Sequence, residues 1–192
     1  MNPKRLSLKL FATRAIPRDE LHRFIGIFHR FIQAASVPGL LIDVADYAHV
    51  PDGPGVMLIG HEVDYGIDLA RGRTGLLTMC KRAGDQSLAA LFRDALAKAL
   101  AAASAIESDE ASAVHFATGE LEIAFPDRLG APNTAAAFEL ASKELLPVAR
   151  AVFGDAVRLE NAAADDPRRM LTLELKGGGG ELAALSARVE GR

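Results

Sequence analysis

Apolar and polar residues alternate over residues 6–11, with Leu6, Leu8 and Leu10 on one side and Ser7 and Lys9 on the other, which predicts a half-buried strand. The period then changes. Leu21, Phe24, Ile25, Phe28, Phe31 and Ile32 recur at spacings of three and four, behind Pro17 as a first-turn residue and Asp19 and Glu20 at the positive end of the dipole. That stripe predicts a helix over 17–35, closed by Val37-Pro38-Gly39. Leu40 to Ala45 and Val56 to Glu62 read as buried strands around a Pro- and Gly-rich loop, Tyr47 to Gly55. Tyr65 to Arg71 and Leu76 to Arg82 read as arms of a hairpin that turns at Gly72-Arg73-Thr74-Gly75.

An Ala-rich helix is expected over 87–106, capped from Asp85 to Ser87, with Leu88, Leu91, Phe92, Ala95, Leu96 and Ala99 as its inner stripe. Glu107 to Glu110 is the expected linker to the second half. There the apolar parity shifts between Val114/Phe116 and Leu121/Ile123/Phe125, which predicts a strand with a bulge at Gly119. Pro132 and Asn133 open a helix running to Phe153, which Pro147 is expected to kink or end early. Val157 to Glu160 and Met170 to Lys176 read as strands joined by the turn residues Asp165 to Arg168. Gly177 to Gly180 reads as a flexible break before a short amphipathic tail, 181–189.

The chain thus divides into a first half, 1–106, read as βαββββα, and a second, 107–192, read as βαββ, which together could form one compact domain. Strand, helix, strand, loop, strand recurs in 6–62 and 121–176, so two βαββ pseudo-repeats are expected. The class is α+β, with helices packed on one face of a mostly antiparallel sheet. Folds built from repeated βαβββ units, some of which hold a metal, bear comparison, although topology by itself carries no function.

Composition narrows the setting. Of 192 residues, 49% are hydrophobic and 24% charged, which excludes intrinsic disorder. A single cysteine, Cys80, excludes an internal disulfide framework and a thiolate zinc cage. No apolar run approaches the roughly 20 residues of a membrane helix, and residues 1–9 lack the apolar region of a secretory signal. A soluble, cytoplasmic protein without a membrane partner is the expectation. Sixteen Arg against six Lys, with 35 Ala, suit a bacterial source with a GC-rich genome.

Charge comes in blocks. Residues 1–30 carry +5, 31–70 carry six acids and no Lys or Arg, 71–106 carry +4, and 107–127 carry −6. Nucleic-acid binding is disfavoured, since the first basic block lies partly on the amphipathic helix and no recognition motif accompanies it. The blocks instead suggest basic patches docking on acidic ones, within the chain or in a second copy, so that a homo-oligomer or a protein partner is expected.

Candidate chemistry concentrates between Asp43 and Asp64. Asp46, His49, His61, Glu62 and Asp64 are the candidate ligands for a divalent metal ion, since imidazole and carboxylate together suit zinc, manganese or iron. His61-Glu62 is not the helical metalloprotease pattern, because position 65 is Tyr. The same residues also fit a structural account: Asp46 capping an Asx-turn, His61 on the side of Met57 and Ile59, and Glu62 pairing with Arg71, Arg73 or Arg82. Tyr47 and Tyr65 flank the segment and could line a small-molecule pocket. Cys80 reads as a buried structural thiol, His22 and His29 as flank positions of the first helix, and His115 as a sheet residue. Gly177 to Gly180 lacks the Lys-Ser/Thr of a phosphate loop. With no convergent nucleophile and base, the expected function is non-catalytic binding or self-association. The alternative is a metal-dependent enzyme or small-molecule-binding protein using segment 43–64.

Overall fold

Leu6, Leu8 and Leu10 are fully buried in β1 (Leu6–Ala12), and their alternation with Ser7, Lys9 and Phe11 sets the two faces of the whole sheet. The structure is a computed structural model that describes residues 3–82 and 84–191. After β1 come α1 (Arg23–Ala34), β2 (Leu41–Asp46), β3 (Pro54–Gly60), β4 (Val63–Asp68), β5 (Gly75–Cys80) and α2 (Leu88–Ser108). The second half adds β6 (Phe116–Ala124), α3 (Ala135–Phe153), β7 (Arg158–Asn161), β8 (Thr172–Lys176) and α4 (Leu182–Glu190). Among the described residues the eight strands form one sheet in the order β2-β3-β4-β5-β1-β6-β8-β7, and every neighbouring pair is antiparallel. The class is α+β, as the apolar periods imply.

One side of this sheet carries the helices. Leu8, Thr78, Tyr65 and Leu58 lie in register across four strands, and Leu121, Ile123, Leu173 and Leu175 continue the same side. Apart from Thr78, these belong to a single apolar core with Phe24, Ile27, Phe28 and Phe31 of α1, Leu91, Phe92 and Leu96 of α2, and Leu145, Val148 and Val152 of α3. The alanines of α2 have a packing reason: the helix lies against β1 and β5 and also touches α3 and α4, so Ala95, Ala99, Ala102 and Ala103 let its neighbours come close. Because β1 pairs with β6, the sheet and the core run through both halves of the chain.

Several sequence expectations shift. The first helix does not start at Pro17; Arg18–Glu20 forms a 3₁₀ turn, and the α-helix begins at Arg23 and ends on Ala35 in the left-handed region. Pro147 neither stops nor shortens α3, which runs to Phe153. Its lost N–H costs one hydrogen bond, while Leu145, Val148, Ala149 and Val152 are all buried around it. Ser87 and Thr134 cap α2 and α3 by accepting from Ala90 N (3.3 Å) and Ala137 N (3.2 Å). The stretch expected as a linker is fastened: Glu107 accepts from Phe116 N (2.7 Å), and Asp109 takes a bidentate hydrogen bond from Arg30. The expected bulge lies where the β1–β6 register slips, with Leu10 opposite Leu121 but Ala12 opposite Phe116.

Gly177 to Gly180 is a corner rather than a loose break. All four residues have positive φ, and a Cβ at Gly178 would collide with the Phe153 carbonyl. The βαββ units do not have the same topology: β8 pairs directly with β6, whereas β4 and β5 lie between β3 and β1. A pseudo-repeat is therefore not established.

Gly75 marks the tightest approach between strands at the centre of the sheet, since a Cβ there would strike the Leu10 carbonyl. Gly75→Ala is expected to cost about 1–3 kcal/mol in urea unfolding. Gly119→Ala, whose added carbon meets nothing nearer than 3.4 Å, is expected to stay within about 0.5 kcal/mol. Equal losses for the two would refute the account of the β1–β5 approach.

Candidate functional site

The candidate metal residues are held at different places. Asp46 and Val56 are partners across β2 and β3, whereas Asp64 accepts from Gly60 N (3.0 Å) at the far end of β3. Four residues along a strand separate them by ~13 Å. The loop between β2 and β3 does not close that gap. Arg18 ties it down instead, donating to the carbonyls of Ala48 (2.7 Å), Val50 (3.0 Å) and Pro51. Asp46 accepts from Ala48 N (2.8 Å) as an Asx-turn, and His49 is exposed with its ring 6.4 Å from that of Tyr47. His61 and Glu62 occupy the β3–β4 turn, both exposed.

His61 Nε2 lies 2.9 Å from an Arg82 nitrogen, and because a guanidinium has only donors, the imidazole lone pair there is taken. Asp64 is bound by Lys81 (2.7 Å). Among the described residues, no three His, Cys, Asp or Glu side chains converge in a way that could hold a metal ion. Tyr65 turns away from Tyr47 into the core, where its hydroxyl donates to the Pro38 carbonyl (2.7 Å) and burial raises its pKa. The expected pocket between the two tyrosines is not formed.

A different site lies on the side of the sheet without helices. In register across its middle run Ala45, Met57, Gly66, Leu77, Lys9, Glu122 and Glu174. A lysine on an open sheet face would ordinarily sit in water, yet Lys9 is only 2% exposed. The connection from β4 to β5 explains this. The sequence reads it as a short hairpin turn on arms reaching Arg71, but β4 stops at Asp68 and Ala70–Gly72 forms a 3₁₀ turn.

That turn folds over the sheet. Lys9 Nζ donates to Asp68 Oδ2 (2.6 Å) and to the Ala70 carbonyl (3.3 Å). Arg71 takes a left-handed backbone (φ 61°), with its N–H held by Asp52 (2.6 Å). Carried over the sheet by this turn, its side chain reaches both carboxylate oxygens of Glu122 on β6. Arg73 lies 3.5 Å over the Phe11 ring and pairs bidentately with Glu120 (2.9 and 2.7 Å). The hydrogen bond from Arg73 lowers the Glu120 pKa, and the same bond raises that of Arg73. Arg71 and Arg73 are thus committed across the sheet to β6 rather than to Glu62.

The Arg71 side chain bounds a cleft of about 390 Å³ on this face. Leu77, Met79, Ser7, Ala124, Glu122 and Thr172 form its floor. One wall is Asp52, Asp68, Ala70 and Arg71; the other, from loops beside β6 and β8, is Pro126, Arg169 and Met170. Such a lining, apolar surface with a few fixed charges and two hydroxyls, is suited to recognition by burial and by charge. Cys80 points to the helix side, and burial pushes its thiol up to about 11, with Asp94 adding and Lys98 opposing. Sequence reading missed the cleft because Lys9, Asp68 and Glu122 are ordinary outward positions until a loop covers them. The nearest signal is the pair Arg71 and Arg73 beside two glycines.

In comparisons with known protein families, with curated proteins and with solved structures, the chain matches none.

The Lys9–Asp68 pair gives a direct energetic test. Lys9→Met or Asp68→Leu alone strands a buried charge and is expected to cost about 3–5 kcal/mol, whereas the two combined should recover most of the loss. Chemical denaturation of the three variants checks this. Additive losses in the double variant would show that the two groups are not coupled.

Proposed function

We propose that the protein is a non-catalytic binding protein whose working surface is the helix-free face of the sheet. The observation that carries this reading is the cleft of about 390 Å³ on that face, within the size range of small-molecule sites. Its apolar surface, from Leu77, Met79, Ala124, Pro126 and Met170, is concave rather than filled by helices. Four of the ionisable groups on and beside it are engaged in pairs, Lys9 with Asp68 and Arg71 with Glu122, which favours a fixed recognition surface over groups free to move protons. Methionine methyl resonances provide the test. Met79 and Met170 line the cleft, while Met57 lies over Gly66 outside it. In a fragment screen followed by methyl NMR, hits should shift Met79 and Met170 and leave Met57 in place. Hits that shift only Met57, or a screen that moves no cleft methyl, would overturn the proposal.

A second reading, self-association, is favoured by the sheet edge at β2, where Leu40 is 69% and Ile42 59% exposed. One donor on that edge is already used, since Val44 N–H binds the Asp43 carboxylate (2.8 Å). Sedimentation velocity over a range of concentration and salt should then show a dimer that Ile42→Lys abolishes. A monomer under every condition would end this reading.

A further inference from the structure

We propose that the cleft takes a zwitterionic ligand with an apolar middle, a peptide of about two to four residues, its ammonium group on Asp52 and its carboxylate on Arg169. This rests on the reading of the helix-free face as a binding surface and names what that surface selects. The argument is one of remainders. Of the charged residues that line the cleft, Asp68 is paired with Lys9 and Glu122 with Arg71. Asp52 accepts a backbone hydrogen bond from Arg71 N, but neither it nor Arg169 is in an ion pair among the described residues. The two uncompensated charges are of opposite sign and belong to opposite walls.

Their spacing suits a short chain. The wall with Asp52 is tied to the β4–β5 turn and the wall with Arg169 leads into β8, three strand spacings from β5 and so ~14 Å away at the backbone. The long Arg169 side chain shortens this span towards the ~10 Å of an extended tripeptide. Between the charges lie Leu77, Met79, Ala124 and Met170, which would cover apolar side chains, and the hydroxyls of Ser7 and Thr172. An all-anionic ligand would meet Asp52 and an all-cationic one Arg169, so a molecule charged oppositely at its ends is favoured over either.

The test uses the full chain and the tripeptide Ala-Leu-Ala, with N-acetylated and C-amidated forms, and hexanol as a neutral apolar probe, all followed by methyl NMR of Met79 and Met170. The free peptide is expected to bind about tenfold or more tightly than either blocked form. Asp52→Asn, which keeps the acceptor for Arg71 N, should remove the preference over the acetylated peptide only. Arg169→Gln should remove the preference over the amidated peptide only. Thermal melts that match the parent chain would show both variants folded. Equal binding of free and blocked peptides overturns the zwitterion assignment and leaves the cleft as a site. Hexanol moving the cleft methyls while no peptide does has the same meaning. If neither peptide nor hexanol moves them, both this inference and the proposed binding surface fail.

Discussion

Lys9 cannot be buried on an open sheet face unless something covers it and something neutralises it, and much of the molecule's unusual surface follows from that requirement. Its ammonium is neutralised by Asp68 at 2.6 Å and covered by the turn that begins at Ala70. Desolvating such a pair is expensive unless the remaining donors are satisfied. The Ala70 carbonyl takes a second of them. Once the turn lies on the sheet, Arg71 and Arg73 are carried over β1 and can reach the two glutamates of β6. The left-handed Arg71, anchored by Asp52, is the local strain that this crossing demands.

The charge blocks of the chain acquire a physical account in the same way. The basic residues of 1–30 meet acids of 31–70 and of 107–127, as Lys9 with Asp68 and Arg30 with Asp109. Those of 71–106 meet 107–127 and 31–70, as Arg71 with Glu122, Arg73 with Glu120, and Lys81 with Asp64. Within the acidic stretch 31–70, Asp64 and Asp68 are thus answered by cations distant in sequence and near in space, while Asp43, Asp46 and Asp52 accept from backbone N–H groups. Most of these pairs are partly exposed and add little stability singly. Their common effect is to fix the loops against the sheet. Arg18 does the same without a carboxylate, gathering three loop carbonyls.

Metal chemistry in segment 43–64 depended on a loop folding back along β3, and local structure sent it elsewhere. Asp46 turns to Ala48 N, His61 to Arg82 and Asp64 to Lys81, so these groups satisfy themselves separately. Residues of the right chemical type and sequence spacing share a site only if strand direction brings them to the same end of the sheet. Asp46 and Asp64 lie at opposite ends of β3.

Local pattern along the chain was enough to place most of the elements and to give the class, although α1 starts later and β4 ends earlier than that pattern suggests. Periods of two and of three to four are local properties, and together with turn and cap chemistry they marked β1, the inner stripes of α1 and α2, the cap Ser87, and the slip in β6, though Thr134 rather than Asn133 caps α3. Local rules overstated what single residues do, as at Pro147, where buried neighbours outweigh one missing hydrogen bond. The strand order, and which outward-facing polar residues lose contact with water, were settled by long-range pairing. Those depend on pairing between residues far apart in the chain, Lys9 with Asp68 and Arg71 with Glu122, for which periodicity holds no information. The cleft exists because a six-residue connection, 69–74, lies on the sheet instead of projecting from it, and that choice is made by charges on two other strands, β1 and β6.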